Sequence, residues 1–215
     1  MGAKPSGGIA REYLARGDAT GWFEQVYARA GGDEANISWA DLKPHILLRD
    51  WLDARRFGPQ EALDIGCGLG DNAEALAAAG LQVTAIDIAP TAIAWARSRF
   101  PGSPVSYQAA DLFDLPPSWQ GRFQFINEIY TLQALPESVR QQAIDVISGL
   151  LAPGGTLLVV CRGRAPHQHS DGPPWALSEQ EIMRFETRGL KRQSFERFDA
   201  YDDSAWPRFR FTFTA

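Results

Sequence analysis

The most constraining feature of the chain is the stretch Glu61 to Asp71, reading EALDIGCGLGD. A short apolar run, Ala62, Leu63 and Ile65, leads into Gly66, Gly68 and Gly70 and then into the alanine-rich segment Asn72 to Ala79. That order predicts a buried strand, a tight turn and a helix start. Glycine at such a turn adopts positive φ and lets the backbone approach a ligand with no Cβ in the way. The helix behind it offers unpaired N–H groups and the positive end of its dipole. This is the pattern of a cofactor-binding turn, and other residues must say which cofactor.

Length and charge narrow the choice. At 215 residues the chain is expected to form one domain with a sizeable core. The formal net charge is −5 and no Lys/Arg run stands out, which argues against nucleic-acid binding by a basic face. The two cysteines, Cys67 and Cys161, lie in glycine-rich or apolar contexts without paired metal spacing. They read as reduced thiols of a cytoplasmic protein, with a disulfide left open. No apolar run approaches a membrane span, and no signal-peptide core begins the chain. Nothing in the residues selects an oligomeric state.

Residues 1–58 are expected to form an N-terminal helical cap belonging to the same domain as the core, residues 59–215. Within it, Met1 to Gly8 is expected to be disordered. Trp22 to Ala30 predicts an amphipathic helix with Trp22, Phe23, Val26 and Tyr27 on its apolar side. Gly31 to Asn36 is a polar break, and Ile46 to Leu52 a second helix with Ile46, Leu47, Trp51 and Leu52 as its stripe. From Glu61 the pattern alternates. Strands are expected at Ala62–Ile65, Gln82–Ile86, Val105–Gln108, Phe123–Asn127 and Thr156–Cys161, with helices at Asp71–Ala79, Thr91–Phe100 and Glu137–Leu151. Leu151 to Gly155 reads as a helix stop and turn. Such alternation implies a doubly wound, mostly parallel sheet, with ligands outside the carboxyl ends of its strands. The tail differs: Ser178–Arg188 predicts a helix, and Lys191–Phe198 and Arg208–Thr214 two antiparallel strands.

The glycines spell G-x-G-x-G, one position away from the dinucleotide fingerprint, and no Gly-Lys-Ser/Thr follows to make a triphosphate loop. By itself the triplet is equally well a structural turn. Three acids alter the balance. Asp64 lies in the first strand, Asp87 ends the second, and Asp111 follows the third in AADLFD. An acid at the second position can accept hydrogen bonds from both ribose hydroxyls. Each alone reads more plainly as a turn or cap residue. Together they would repel a diphosphate and attract a cofactor carrying an ammonium and a sulfonium.

LDIGCGLGDNAEALAAAGLQVTAIDIAP, AADLFDLP and LLAPGGTLLVV resemble the successive motifs of class I S-adenosylmethionine-dependent methyltransferases, over Glu61 to about Cys161. The resemblance implies a Rossmann-like, seven-stranded sheet with an antiparallel last strand. ISWADLKPHILLRDWL and EIYTLQALP resemble, more narrowly, the thiopurine-methyltransferase-like and tellurite-resistance-like branch, which acts on small molecules. Carried over by position, the family implies that Asp64 and the turn Gly66, Cys67, Gly68 and Gly70 hold the methionine end of S-adenosylmethionine. Asp87 would hold the ribose, with Ile88 against the adenine, and Asp111 and Leu112 would bind the adenine. Glu128, Ile129 and Tyr130 would face the methionine moiety and the methyl group, and Trp39 would close over the cofactor from the cap.

Methyl transfer from a sulfonium is an in-line displacement, for which alignment alone supplies about 7–11 kcal/mol. A general base is needed only when the acceptor arrives protonated. Glu128 and Tyr130 are the catalytic candidates, and Glu128, Tyr130, Gln133, Arg162, Arg164, His167 and Trp175 the acceptor-side ones, Arg162 and Arg164 following the fifth strand where they could receive an anionic substrate. Each has a plainer reading: Glu128 as a helix cap, Tyr130 and Trp175 as loop packing, Arg162 and Arg164 as solvated charges. His167 and His169, one residue apart with no third ligand nearby, make a poor zinc signal, so no metal is expected. The reading is a methyltransferase for a small-molecule acceptor, without nucleic acid or membrane as partner. Its rivals are a non-catalytic S-adenosylmethionine-binding module, a nicotinamide oxidoreductase, and a methyltransferase for RNA or protein.

Overall fold

In a computed structural model, which describes residues 5–199 and 206–215, the expected alternation is realised. The chain divides into two compact units, Met1–Pro59 with Gly66–Asp111, and Gln60–Ile65 with Leu112–Ala215.

The first unit contains helices α1 (Pro5–Ala15), α2 (Trp22–Ala30) and α3 (Ile46–Asp53), then α4 (Asp71–Ala78), strand β2 (Gln82–Asp87), α5 (Pro90–Arg99) and β3 (Ser106–Ala109). Strand β2 pairs in parallel with β3, from Thr84 opposite Ser106 to Asp87 opposite Ala109, and α4 and α5 pack against them. Helix α2 stops at Gly31, whose φ of 63° is the left-handed cap conformation. Its Glu24 reaches the start of α5, where the carboxylate accepts from the Thr91 N–H at 3.0 Å and the Thr91 hydroxyl at 2.5 Å. An orphan donor at that helix end is thus satisfied from another helix. Arg99, at the other end of α5, makes a two-pronged ion pair with Asp71 at the start of α4, at 2.7 and 2.9 Å. Both charges also suit the dipoles of the helices that carry them.

The second unit contains β1 (Glu61–Ile65), β4 (Phe123–Ile129), α6 (Glu137–Leu150), β5 (Leu151–Arg164), the two-residue β6 (Leu177–Ser178), the short α7 (Glu179–Ile182) and α8 (Arg184–Thr187), β7 (Lys191–Phe198) and β8 (Arg208–Thr214). Its strands run in the order β1–β4–β5–β8–β7, with β6 beside β5. All pairings are parallel except those of β8, which is reversed against both neighbours. Phe209, Phe211 and Phe213 of β8 are buried, and Phe195 of β7 stacks on Phe211 at 4.6 Å. The fold is therefore the expected Rossmann-like one, with a reversed last strand.

Four local expectations are corrected. Pro5 to Gly8 belong to α1; residues 1–4 lie outside the described residues. Burial of Ile9 and Ala10, with α1 packed on α2, outweighs the helix cost of Gly7 and Gly8. The segment Leu151 to Gly155 is not a turn before β5 but a bulge within it. Leu151 pairs with Phe123 and Thr156 with Phe125, while Gly154 N–H donates to Ala215 O and Ala215 N–H to Gly155 O, both at 3.2 Å. The helix expected over Ser178–Arg188 is two short ones, because Ser178 first pairs with Arg164 in the sheet and then caps α7 through a reciprocal box with Glu181. On α3 Leu47, Trp51 and Leu52 of the expected stripe are buried, but Leu48 is buried and Ile46 exposed.

Candidate functional site

In the first unit the glycine turn has φ of 65°, 53° and 92° at Gly66, Gly68 and Gly70. A Cβ at Gly70 would lie 2.5 Å from the Tyr107 hydroxyl oxygen, so sterics as well as φ require glycine there. The turn is tied to β2, with Cys67 N–H donating to Ile86 O at 2.9 Å. Buried Asp87 grips it further, its two oxygens accepting from Gly68 N–H and Ala89 N–H, both at 2.9 Å. Burial raises the Asp87 carboxyl to about 6 against the pull of those two donors. Asp87 thus shapes the turn, and each oxygen keeps a further lone pair for a hydroxyl. Ile88 is half-buried and Asp111 exposed at the end of this unit.

Trp39 is 38% exposed and stands edge-on to Trp22, Phe23 and Tyr27. Its indole N–H donates to the Tyr27 hydroxyl at 2.8 Å. That hydroxyl is 3.0 Å from where a Cβ on Gly68 would be, which puts Tyr27 against the cofactor turn. Burial, and next the charge of Asp87, push the Tyr27 phenol well above its ordinary value. Sequence reasoning marked Tyr27 only as helix packing. Its apolar periodicity reveals the ring but carries no signal about the hydroxyl.

In the second unit, β1 and β4 place Asp64 opposite Asn127 and Ile65 opposite Glu128. Asp64 is 1% exposed and accepts from the Asn127 amide at 2.7 Å. Glu128 is fully buried, and its Oε1 accepts from Thr131 N–H at 2.8 Å and Leu132 N–H at 2.9 Å. Its Oε2 and the Asn127 Oδ1 are buried acceptors with no donor among the described residues. Burial raises the Glu128 carboxyl to about 7, the backbone donors opposing and Asp64 adding to the rise. Glu128 is both the expected cap and an acid poised near neutrality. Ile129 and Leu112 are buried in this unit.

Tyr130 has φ of 68°, a left-handed conformation uncommon for an aromatic residue. Its hydroxyl accepts from Arg208 Nε at 2.6 Å. Buried Gln133 accepts from Arg162 N–H at 2.6 Å and, through its carbonyl, from Trp175 N–H at 2.7 Å. Arg164, read from sequence as a solvated charge or substrate ligand, is tied to other parts of the chain. It donates to Ala176 O and pairs with Glu181 at 2.6 Å. The other Glu181 oxygen binds Arg140 at 2.7 Å, and Arg140 also donates to the carbonyls of Leu132 and Leu135. His167 and His169 are exposed, and no metal-holding cluster occurs among the described residues. Asn127, Arg140 and Arg208 were missed. Buried polar residues inside strands and helices have no sequence pattern of their own.

Residues 62–155 match the family described as a methyltransferase domain. The fold is the Rossmann-like one that solved methyltransferase structures share. Among curated proteins, the ubiquinone biosynthesis O-methyltransferase of Xanthomonas campestris pv. campestris (strain B100) is 36% identical over 120 residues, which are 54% of this chain and 49% of that protein. The chain thus spans about half the length of the curated relatives it matches. Solved structures share the fold. The N-methyltransferase NodS from Bradyrhizobium japonicum WM9, in complex with S-adenosylhomocysteine, is 23% identical, with 89% of this chain and 97% of that one covered at a TM-score of 0.68. The 1,6-didemethyltoxoflavin-N1-methyltransferase of Burkholderia thailandensis, with 1,6-didemethyltoxoflavin and S-adenosylhomocysteine bound, is 19% identical, covering 100% and 91% at a TM-score of 0.69.

The residues present fit such a cofactor. In the first unit the glycine turn clears backbone for close approach, and the buried acid Asp87 that accepts from it disfavours a diphosphate. No helix among the described residues is long and apolar enough to cross a membrane.

Proposed function

We propose that the chain is an S-adenosylmethionine-dependent methyltransferase acting on a small molecule. The observation that carries this is the glycine turn gripped by a buried Asp87, within a stretch that matches a methyltransferase domain. When bound, the cofactor supplies an electrophilic methyl group on a sulfonium. In this reading the Gly66–Gly70 backbone and Asp64 hold its methionine end, Asp87 the ribose hydroxyls, and Ile88, Asp111 and Leu112 the adenine. Cys67 contributes backbone only. Ile129 and Trp39 shield the methionine end, the latter from an N-terminal cap, residues 1–58. Glu128 Oε2 receives the proton of a hydroxyl acceptor, a task that suits a carboxyl near 7. Tyr130, Gln133, Arg162 and Trp175 orient that acceptor.

A small acceptor is supported by the named relatives and by the resemblance of ISWADLKPHILLRDWL and EIYTLQALP to the thiopurine-methyltransferase-like branch. Calorimetry with S-adenosylmethionine, S-adenosylhomocysteine and NADH tests the cofactor, and a labelled methyl donor with an acceptor panel tests the reaction. Binding of S-adenosylhomocysteine without any methyl transfer would leave the non-catalytic module. Tight NADH binding in its place would overturn the reading.

A further inference from the structure

Tyr27 is 2% exposed, and its hydroxyl stands 3.0 Å from where a Cβ on Gly68 would be. Helix α2 fixes its position, because Glu24, one turn earlier, is fastened to Thr91 at the start of α5. Among the described residues the hydroxyl has one hydrogen bond, from the Trp39 indole N–H at 2.8 Å. An indole N–H only donates, so the phenol oxygen is the acceptor there and its own proton takes no part. Burial, and next the charge of Asp87, push the phenol well above its ordinary value and keep that proton on the oxygen. A buried donor with no acceptor is costly, and such a group calls for a partner that completes it. The same turn carries the complementary need. Buried Asp87 accepts from Gly68 N–H and Ala89 N–H, both at 2.9 Å, and each of its oxygens keeps a lone pair. The turn is thus flanked by a buried proton donor and a buried proton acceptor.

That pairing selects the group it can take. A carboxylate would accept from Tyr27 but be repelled by Asp87. An ammonium would suit Asp87 but has no lone pair for Tyr27. A hydroxyl both accepts and donates, and the hydroxyls of S-adenosylmethionine are those of its ribose. We infer that the Tyr27 O–H donates to a ribose hydroxyl of the cofactor, on the diol whose protons Asp87 accepts. This rests on the methyltransferase reading, in which Asp87 holds the ribose, and adds to it a binding residue from α2. Trp39 is the positioning partner: by taking one lone pair of the phenol oxygen, it leaves the O–H to turn elsewhere. Tyr27 then distinguishes ribose from deoxyribose, because a sugar without the partner hydroxyl leaves the buried phenol proton unmatched.

Calorimetry on the full chain compares S-adenosylhomocysteine with its 2′-deoxyribose and 3′-deoxyribose analogues. Each is titrated into the wild type and into Tyr27→Phe, which keeps the ring and removes the hydroxyl. Tyr27→Phe is expected to weaken S-adenosylhomocysteine roughly threefold to tenfold, the range of one hydrogen bond between neutral groups. The analogue that lacks the partner hydroxyl should bind both proteins alike, while the other loses the same factor as the parent. In the wild type with isotope-labelled tyrosine, the magnetic resonance signal of the Tyr27 ring carbon bearing the oxygen should move with S-adenosylhomocysteine and stay in place with that analogue. Unchanged S-adenosylhomocysteine affinity in folded Tyr27→Phe would mean that water completes the hydroxyl, and overturns the inference. An equal loss for all three ligands would reduce Tyr27 to a fastening of the cap, and overturns it too. Both results leave the methyltransferase reading standing, whereas a wild type that fails to bind S-adenosylhomocysteine sinks that reading and this inference together.

Discussion

At the scale of single residues, two buried carboxyls set the pH behaviour. Glu128 ionises near 4.5 when unfolded and about 7 when folded, and Asp87 near 3.8 and about 6. Between those values the folded state holds the extra protons, so stability falls as pH rises through the window and levels off above it. Glu128→Gln keeps an acceptor for Thr131 and Leu132 and removes the buried charge. It should gain on the wild type by up to roughly 3 kcal/mol between about pH 5 and about pH 8, as read from denaturant titrations. Parallel pH slopes in the two proteins would mean that Glu128 ionises normally. Asp87→Ala tests the other acid. It loses charge-assisted bonds from Gly68 N–H in the glycine turn and from Ala89 N–H, and about 2 kcal/mol or more of stability should go with them. If the remaining lone pairs also hold a ribose, S-adenosylhomocysteine affinity per folded molecule should fall at least about tenfold. Unchanged affinity would reduce Asp87 to a turn residue.

At the scale of elements, the bulge in β5 and the cap make separable claims. A Cβ at Gly155 would meet Ala152 O at 2.8 Å and Phe123 O at 3.0 Å, backbone atoms that cannot rotate away. At Gly154, with φ of 73°, it would meet nothing within 4 Å. Gly155→Ala should therefore destabilise more than Gly154→Ala, whose cost is only the left-handed strain of about 1–2 kcal/mol. Comparable melting temperatures for the two would argue that the bulge relaxes freely. In the cap, Trp39 is neither buried nor loose: it is exposed yet held by the Tyr27 hydroxyl and three aromatic edges. If residues 31–44 close over the cofactor, their hydrogen-exchange protection should rise with S-adenosylhomocysteine. Equal protection in both states would mark a fixed cap, with Tyr27 and Trp39 as its permanent fastening.

For the whole molecule the measurable quantity is linkage. A ligand that binds only the folded state stabilises it by about 2.7 kcal/mol at a hundredfold excess over its dissociation constant. S-adenosylhomocysteine is expected to raise the melting temperature accordingly, and NADH to leave it unchanged. A rise with NADH alone would point back to an oxidoreductase on the same architecture.

The sequence by itself determined what is periodic or locally forced. Alternating apolar runs fixed the order of strands and helices, the Arg208–Thr214 and Lys191–Phe198 strands among them, and spaced glycines marked the turn at Gly66, Gly68 and Gly70. These follow from backbone sterics and the repeat of each element, which act within a few residues. Tertiary structure alone decided the rest. The APGG segment reads as a turn until its neighbour Phe123 and the distant Ala215 draw it into β5. Arg164 reads as solvated until Glu181 lies beside it. Arg208 reads as the polar side of an alternating strand, yet it is buried, with a strand on each edge of its own and the Tyr130 hydroxyl accepting a hydrogen bond from its Nε. A buried charge needs partners from remote parts of the chain, and no local pattern can specify partners that only folding brings within hydrogen-bond reach.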